Sequence, residues 1–186
     1  MRHPVVIVGG GPVGLALAVD LGGRGVRCVV VDGKPAFGEG SRGLCYAKRT
    51  LEILDRLGVG ERAVAKGVIW RLGKVFHGTG LLYQFDLLPE GGHKMPAFIN
   101  LQQYYIEQYL YERALELPSV DLRFQNRCVG LETFADHARV RLETPDGPYA
   151  IEADWLIACD GARSSVRQLM GLSFEGRAFE DVFVIA

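Results

Sequence analysis

Residues 4–32 read PVVIVGGGPVGLALAVDLGGRGVRCVVVD. Two short β-branched runs, 4–8 and 27–32, flank a glycine turn and a segment where Val13, Leu17 and Leu21 recur at helical spacing. Apolar runs this short and uniform suit strands buried on both faces of a sheet. Strand, turn, helix and strand in that order form a βαβ unit. Pro12 suits the first helical turn, where no intrahelical N–H bond is needed.

Gly9, Gly11 and Gly14 have the spacing G-x-G-x-x-G. At a strand-to-helix turn the first glycine permits the tight bend, and the second lets backbone approach a pyrophosphate. The third lets the helix pack on the strand. The helix N-terminus offers free N–H groups and the positive end of its dipole. Asp32 closes the second strand, 18 residues after Gly14. A carboxylate there can accept hydrogen bonds from both ribose hydroxyls of an adenosine. It would also repel a ribose 2′-phosphate, which argues against NADP in this particular site. Strand, spacing and acid together indicate a dinucleotide site. FAD and NAD share the ADP half, so the fingerprint alone leaves both open.

The chain has 186 residues, 48% hydrophobic and 23% charged, with a net charge of -1. That suits one soluble globular domain and provides no global field for nucleic acid or anionic membrane. Cys28, Cys45, Cys128 and Cys159 lie far apart and form no Cys-x-x-Cys pair. This argues against zinc or a disulfide framework and for a reducing cytoplasm. Cys28 and Cys159, in apolar runs, read as small core residues. No stretch approaches the roughly 18 apolar residues of a membrane span. Arg2 and the apolar stretch after it imitate a signal peptide, but GGGP at 9–12 breaks the run and Asp20 charges it.

Further along, residues 33–43 read as a glycine-rich loop and 47–57 as a helix with Leu51 and Leu54 on one face. Residues 68–98 are strand-like pieces split by Gly and Pro, an antiparallel excursion. Residues 102–117 return to helix, with Ile106, Leu110, Ala114 and Leu117 on one face. The stretches 120–124 and 138–144 read as strands, the latter with one wet face. DGP at 146–148 suits a hairpin turn before YAIEAD, and WLIAC at 155–159 is apolar enough for another buried strand.

Three more segments have ligand-binding chemistry. GSRGLCYAKRTLEILDRLG, 40–58, puts Arg42 in the glycine-rich loop, where a guanidinium can grip a pyrophosphate bidentately. NLQQYYIEQYL, 100–110, opens a helix on Gln102 and Gln103, which can cap backbone or reach a ligand. In DWLIACDGARSSVRQLMG, 154–171, an apolar strand runs into Asp160 and Gly161. Ser164 or Ser165 then starts a helix, with Arg163 and Arg167 nearby. Taken singly, these are equally a solvated basic loop, a polar first turn and an ordinary β-to-α connection.

Taken together and in order, the G-x-G-x-x-G with its acid, the Arg42 loop, the Gln-led helix and DGARSSVR resemble the FAD-dependent aromatic hydroxylases. These are the group A flavoprotein monooxygenases of the para-hydroxybenzoate hydroxylase fold, and the chain looks most like members acting on 3-hydroxyphenylpropionate. Asp160, Gly161, Ser164 and Arg167 fall on that family's DGxxSxxR pattern. The resemblance implies an α/β fold, a Rossmann-like FAD-binding βαβ domain over 1–176. It includes the antiparallel excursion at 68–98, and a substrate domain starts at 177–186. It implies that Gly9, Gly11 and Gly14 hold the FAD pyrophosphate, and that Asp32 takes the adenosine ribose, where the family more often has Glu. It also implies that Arg42 meets the pyrophosphate, that Gln103 contacts the cofactor, and that Asp160 with Gly161 orders the cofactor region. Arg163 and Arg167 are further candidates.

The family's later Gly-Asp motif, its flavin-supporting segment and most of its substrate sheet have no counterpart in these residues. The expectation is therefore the N-terminal part of such an enzyme, incomplete relative to the full fold. The implied activity is NAD(P)H-dependent hydroxylation of a phenolic aromatic by O₂ through a flavin C4a-hydroperoxide. The alternative is a non-catalytic FAD- or nucleotide-binding fragment, or half of a split protein. The implied partners are a small aromatic substrate and O₂, with a homo-oligomer or a complementing C-terminal half also open. No catalytic residue is assigned. His77, Tyr83 and His93 in the excursion read as surface or packing residues.

Overall fold

The computed structural model describes residues 1–38, 43–177, 179–180 and 182. β1 (Arg2–Val8), α1 (Pro12–Gly23) and β2 (Cys28–Asp32) form the expected βαβ unit. Gly11 caps α1, with Pro12 in its first turn. The two strands pair in parallel, Val5 opposite Cys28 and Val8 opposite Val31. Their valines are buried on both faces, which is why the sequence shows no alternation there.

Two further strands extend this core. β8 (Val120–Phe124) lies parallel to β2, with Phe124 opposite Asp32. The C-terminal half of β11 (Gly147–Ala158) lies parallel to β1, with Ala158 opposite Val8. The N-terminal half of β11 pairs antiparallel with β10 (Ala138–Thr144), which pairs with β9 (Arg127–Thr133). The resulting six-stranded sheet has the order β8-β2-β1-β11-β10-β9.

Val6, Val8, Val29 and Val31 pack with Cys128, Val140, Leu142 and Ile151, so the antiparallel strands curl over one face of the parallel strands. Val5, Ile7, Cys28 and Val30 face Ala18 of α1 on the other. A second core beyond α1 joins Leu15 and Val19 to α2 (Lys48–Arg56), α3 (Gly60–Lys66) and α4 (Gln103–Leu115) through Leu51, Leu54, Ala63, Ile106 and Leu110.

The excursion is indeed antiparallel. β3 (Cys45–Ala47), β7 (Phe98–Asn100) and β4 (Val68–Trp70) form one small sheet, in that order. β5 (Leu72–His77) and β6 (Gly80–Asp86) form a separate hairpin with Phe76, Leu81, Leu82 and Tyr83 exposed. The last helix, α5 (Ser165–Leu169), follows the Asp160-Gly161 turn.

The structure differs from the sequence reading in four places. α3 continues after Gly58 as a separate short helix, and β9 is a strand where none was expected. YAIEAD and WLIAC are one continuous strand, because β11 passes from a one-sided antiparallel setting into the two-sided parallel sheet. Cys28 is a core residue as expected, whereas Cys159 is only half-buried.

Candidate cofactor site

Parallel register brings the C-terminal ends of β1, β2, β8 and β11 to one edge of the sheet, where open α/β sheets place their ligands. The hydrogen-bond ladder continues past the strand ends. Gly9 N donates to Val31 O (2.8 Å), Cys159 N to Val8 O (2.7 Å) and Asn126 N to Asp32 O (2.8 Å). Four turns are thus held side by side around a cleft of about 380 Å³. Gly9, Gly11, Asp32, Gln103, Asp160 and Gly161 all line it. Arg42 lies outside the described residues.

The three glycines of the fingerprint do different things. A Cβ on Gly9 would sit 2.3 Å from Cys159 O, and the residue has φ of +111°. A Cβ on Gly14 would sit 1.9 Å from Gly9 O. Gly14 is buried and forms no part of the cleft wall, so it permits helix–strand packing. Gly11 has an ordinary φ of −80°, and a Cβ there would meet nothing within 4 Å among the described residues. Neither its backbone conformation nor packing against the described residues requires glycine at position 11.

Asp32 holds the turn as well as facing the cleft. Its Oδ2 accepts the Gly10 N–H at 2.7 Å, and its Oδ1 accepts the Lys34 N–H at 2.8 Å. Asp160 is tied down more fully. It accepts from Ser164 Oγ at 2.6 Å, Ser165 Oγ at 3.0 Å and Val166 N at 3.1 Å, while Ser164 Oγ accepts from Arg167 N at 3.0 Å. Burial pushes the Asp160 carboxyl up, but these donors outweigh it and hold it below the ordinary aspartate value. Both Ser164 and Ser165 therefore serve the start of α5. The Arg167 guanidinium bonds Ala162 O at 2.8 Å. Gly161, at φ +78°, makes the turn.

Gln103 begins α4, and its Nε2 donates to Glu107 Oε1 at 2.6 Å. Ser165 of the DGARSSVR segment also lines the cleft, as do Glu107, Lys34, Asn126, Arg127 and Cys128, none of which was singled out from sequence for it. Asn126 to Cys128 arrive on the turn after β8. That strand was legible, and the rule that ligands sit beyond parallel strand ends would have pointed to its turn. His77, Tyr83 and His93 are all exposed on the excursion. Among the described residues no group of His, Cys, Asp or Glu could hold a metal ion, and no helix is long and apolar enough to cross a membrane.

Parallel strands converging on a glycine turn and a helix N-terminus, with an acid on the next strand, define a dinucleotide-binding α/β domain. Within that class the chain belongs to the FAD binding domain family, whose model matches residues 2–184. It is 35% identical over 185 residues to para-nitrophenol 4-monooxygenase of Pseudomonas sp. (strain WBC-3), covering 97% of this chain and 45% of that protein. It is 32% identical over 172 residues to a 3-(3-hydroxy-phenyl)propionate/3-hydroxycinnamic acid hydroxylase of Mycobacterium sp. (strain JLS), covering 92% and 30%. The crystal structure of p-nitrophenol 4-monooxygenase PnpA from Pseudomonas putida DLL-E4 superposes with a TM-score of 0.89 at 31% identity, covering 96% and 46%. The resemblance to FAD-dependent aromatic hydroxylases holds, and the chain spans less than half the length of these relatives.

Proposed function

We propose that this chain is the FAD-binding part of an NAD(P)H-dependent monooxygenase that hydroxylates a phenolic aromatic. The observation that carries the site assignment is Gly11. It is a glycine that packing among the described residues does not require, and it lines the cleft together with Pro12 of α1, Asp32 and Asp160. A group that must come against the backbone there, and is anionic enough to suit a helix N-terminus, is a pyrophosphate.

The residues present fit FAD. Gly9 and Gly11 with the first turn of α1 would hold its diphosphate, and Gly14 would keep that turn closed. Asp32 would accept from the adenosine ribose with the lone pairs left after its two backbone bonds. Gln103, Asp160 and Gly161 would line the remaining wall, and Arg42 would reach the pyrophosphate. When bound, FAD supplies the redox chemistry between NAD(P)H, O₂ and the aromatic ring. The chain's own residues bind, orient and exclude water. Both cleft thiols stay protonated at neutral pH. Burial pushes Cys128 and Cys159 up, with Asp160 adding to the effect on each.

Residues 1–176 form the FAD-binding unit in this reading, and 177–186 lead into a substrate domain. Residues 172–177, without helix or strand, suit a connection there. The widely spaced free thiols suit a cytoplasmic protein. A second reading draws on the fraction of its relatives that the chain spans. In it the 186 residues bind FAD without turnover, alone, as a homo-oligomer or with a complementing half. Titration of the purified chain with FAD, followed by visible absorbance, tests the site, and flavin bands near unit occupancy are expected. A chain that stays colourless would overturn the assignment, and phenol-dependent NAD(P)H oxidation by this chain alone would overturn the second reading.

A further inference from the structure

We propose that Glu107 is a positioning residue of the cleft, whose carboxylate fixes the entry of the glycine-rich loop and the side-chain amide of Gln103 relative to one another. The proposal rests on the reading of the cleft as the FAD site.

Glu107 sits one turn after Gln103 on α4 and is only 5% exposed. Its neighbours on the helix, Ile106, Leu110 and Ala114, belong to the apolar core. Ionised side chains are almost never fully buried without partners, because desolvation favours the neutral form. Here the partners come from two different segments. Oε2 accepts the backbone N–H of Gly38 at 2.8 Å, and Oε1 accepts Nε2 of Gln103 at 2.6 Å. Charge-assisted bonds of this kind are stronger and more directional than neutral ones.

The same helical turn also holds Gly43, whose carbonyl accepts the Gln103 backbone N–H at 3.1 Å. Gln103 Oε1 lies on the Gly43 side, 3.1 Å from where a Cβ of Gly43 would be. A Cβ on Gly38 would come 3.0 Å from Glu107 Oε2. The first turns of α4 therefore grip the chain at Gly38 and again at Gly43, and Glu107 forms the Gly38 half of that grip. Its bond to Gln103 also settles which end of the amide faces Gly43. Gly38, Gln103 and Glu107 all line the cleft, so this geometry is set at its wall.

An apolar residue at 107 would extend the α4 core stripe and satisfy neither donor. A methionine of similar volume should therefore keep α4 packed while removing the acceptor that the Gly38 N–H and the Gln103 amide both use. Leaving donors without their acceptor lowers stability whatever the role of the carboxylate. The two roles separate in the folded chain: a purely structural Glu107 would lower stability and leave FAD affinity, measured well below the unfolding temperature, at the parent value, whereas a positioning one lowers that affinity too.

The test compares the full chain with Glu107→Met, Glu107→Gln and Gly11→Val, measuring FAD affinity by flavin fluorescence and stability by thermal unfolding without FAD. Well below its unfolding temperature, Glu107→Met should bind FAD about tenfold more weakly, the loss of roughly one hydrogen bond's net worth, and it should unfold at a lower temperature than the parent. Glu107→Gln keeps one acceptor and should fall between the two. Hydrogen exchange at the Gly38 amide should accelerate in Glu107→Met. If that variant fails to fold, Glu107→Gln decides on the same two readouts. Parent FAD affinity in the folded Glu107 variants would overturn the proposal while leaving the site assignment in place if Gly11→Val still loses FAD. A parent chain that does not take up FAD would overturn both.

Discussion

The backbone of Gly9 lies against the carbonyl of Cys159, so close that a Cβ on Gly9 would sit 2.3 Å from that oxygen. Two turns 150 residues apart in sequence are thus packed backbone to backbone, and the glycine that begins the first turn is required by the second. Asp160 and Gly161 follow directly, so the cleft wall formed by the DGARSSVR segment is positioned through this contact.

The three fingerprint glycines should separate experimentally. Gly9→Ala and Gly14→Ala force a side chain into backbone oxygens and should destabilise the chain by about 3 kcal/mol or more. A Cβ on Gly11 meets nothing within 4 Å among the described residues, so Gly11→Val should cost only about 1 kcal/mol, as a poorer helix N-cap, while abolishing most FAD binding. Urea unfolding and FAD titration on the same three variants check this. Equal loss of stability at all three positions would refute it.

Asp32 has a structural duty that can be told apart from ribose recognition. Asp32→Ala leaves the Gly10 and Lys34 N–H groups without their acceptor and should cost about 2 kcal/mol of stability. Asp32→Asn keeps one side-chain acceptor and should cost about half that, yet its FAD affinity should still fall. Measuring both properties for both variants distinguishes an anchor of the turn from a ligand contact alone.

Acid stability should depend on Asp136 and Asp160. Hydrogen bonding from His137 and then Arg2 draws the Asp136 carboxyl down to about 2. Asp160 is also lowered, as the donors at α5 outweigh burial. Aspartate in an unfolded chain titrates near about 3.9. Between that value and the folded one the unfolded state binds more protons, so stability rises with pH there. The contribution is complete above the unfolded value and is lost as pH falls through the folded value. Denaturant unfolding between roughly pH 2 and 5 should show a shallower acid slope in Asp136→Asn than in the parent. An unchanged slope would remove Asp136 from the account.

The four thiols should react in a set order. Burial raises Cys28 to about 11, and Cys128 is buried as well, whereas Cys45 is exposed. A thiol reagent at mildly alkaline pH should modify Cys45 first, Cys159 more slowly, and Cys28 and Cys128 only on unfolding. Peptide mapping after timed labelling reads this directly. Early modification of Cys28 would contradict its place between α1 and the sheet.

The βαβ start was legible because everything that specifies it is local. The β-branched runs, the glycine spacing, Pro12 and Asp32 all lie within residues 4–32, and each has one obvious use at a strand-to-helix turn. The Asp160-Gly161 turn was legible for the same reason, since an apolar strand, a glycine and a serine cap are neighbours in sequence. β9 was missed because RCVGLET pairs with a strand beginning eleven residues later and has little pattern of its own. β11 was split in two because its burial pattern changes along its length, from Ile151 and Ala153 under the curled strands to Ile157 facing the helices.

The sequence by itself determined the fold class, the glycine turn, the acid beside it and the second turn at Asp160. Only the tertiary structure decided what these become together. It brought Asn126 and Arg127 to the cleft by pairing β8 with β2, and it pressed the Gly9 turn onto Cys159 by pairing β11 with β1. It also turned Glu107, on a helix face otherwise read as core, toward Gly38 and Gln103. Local spacing encodes turns and helix starts, whereas strand partners and the donors of a buried carboxylate are set by contacts between segments far apart in the chain.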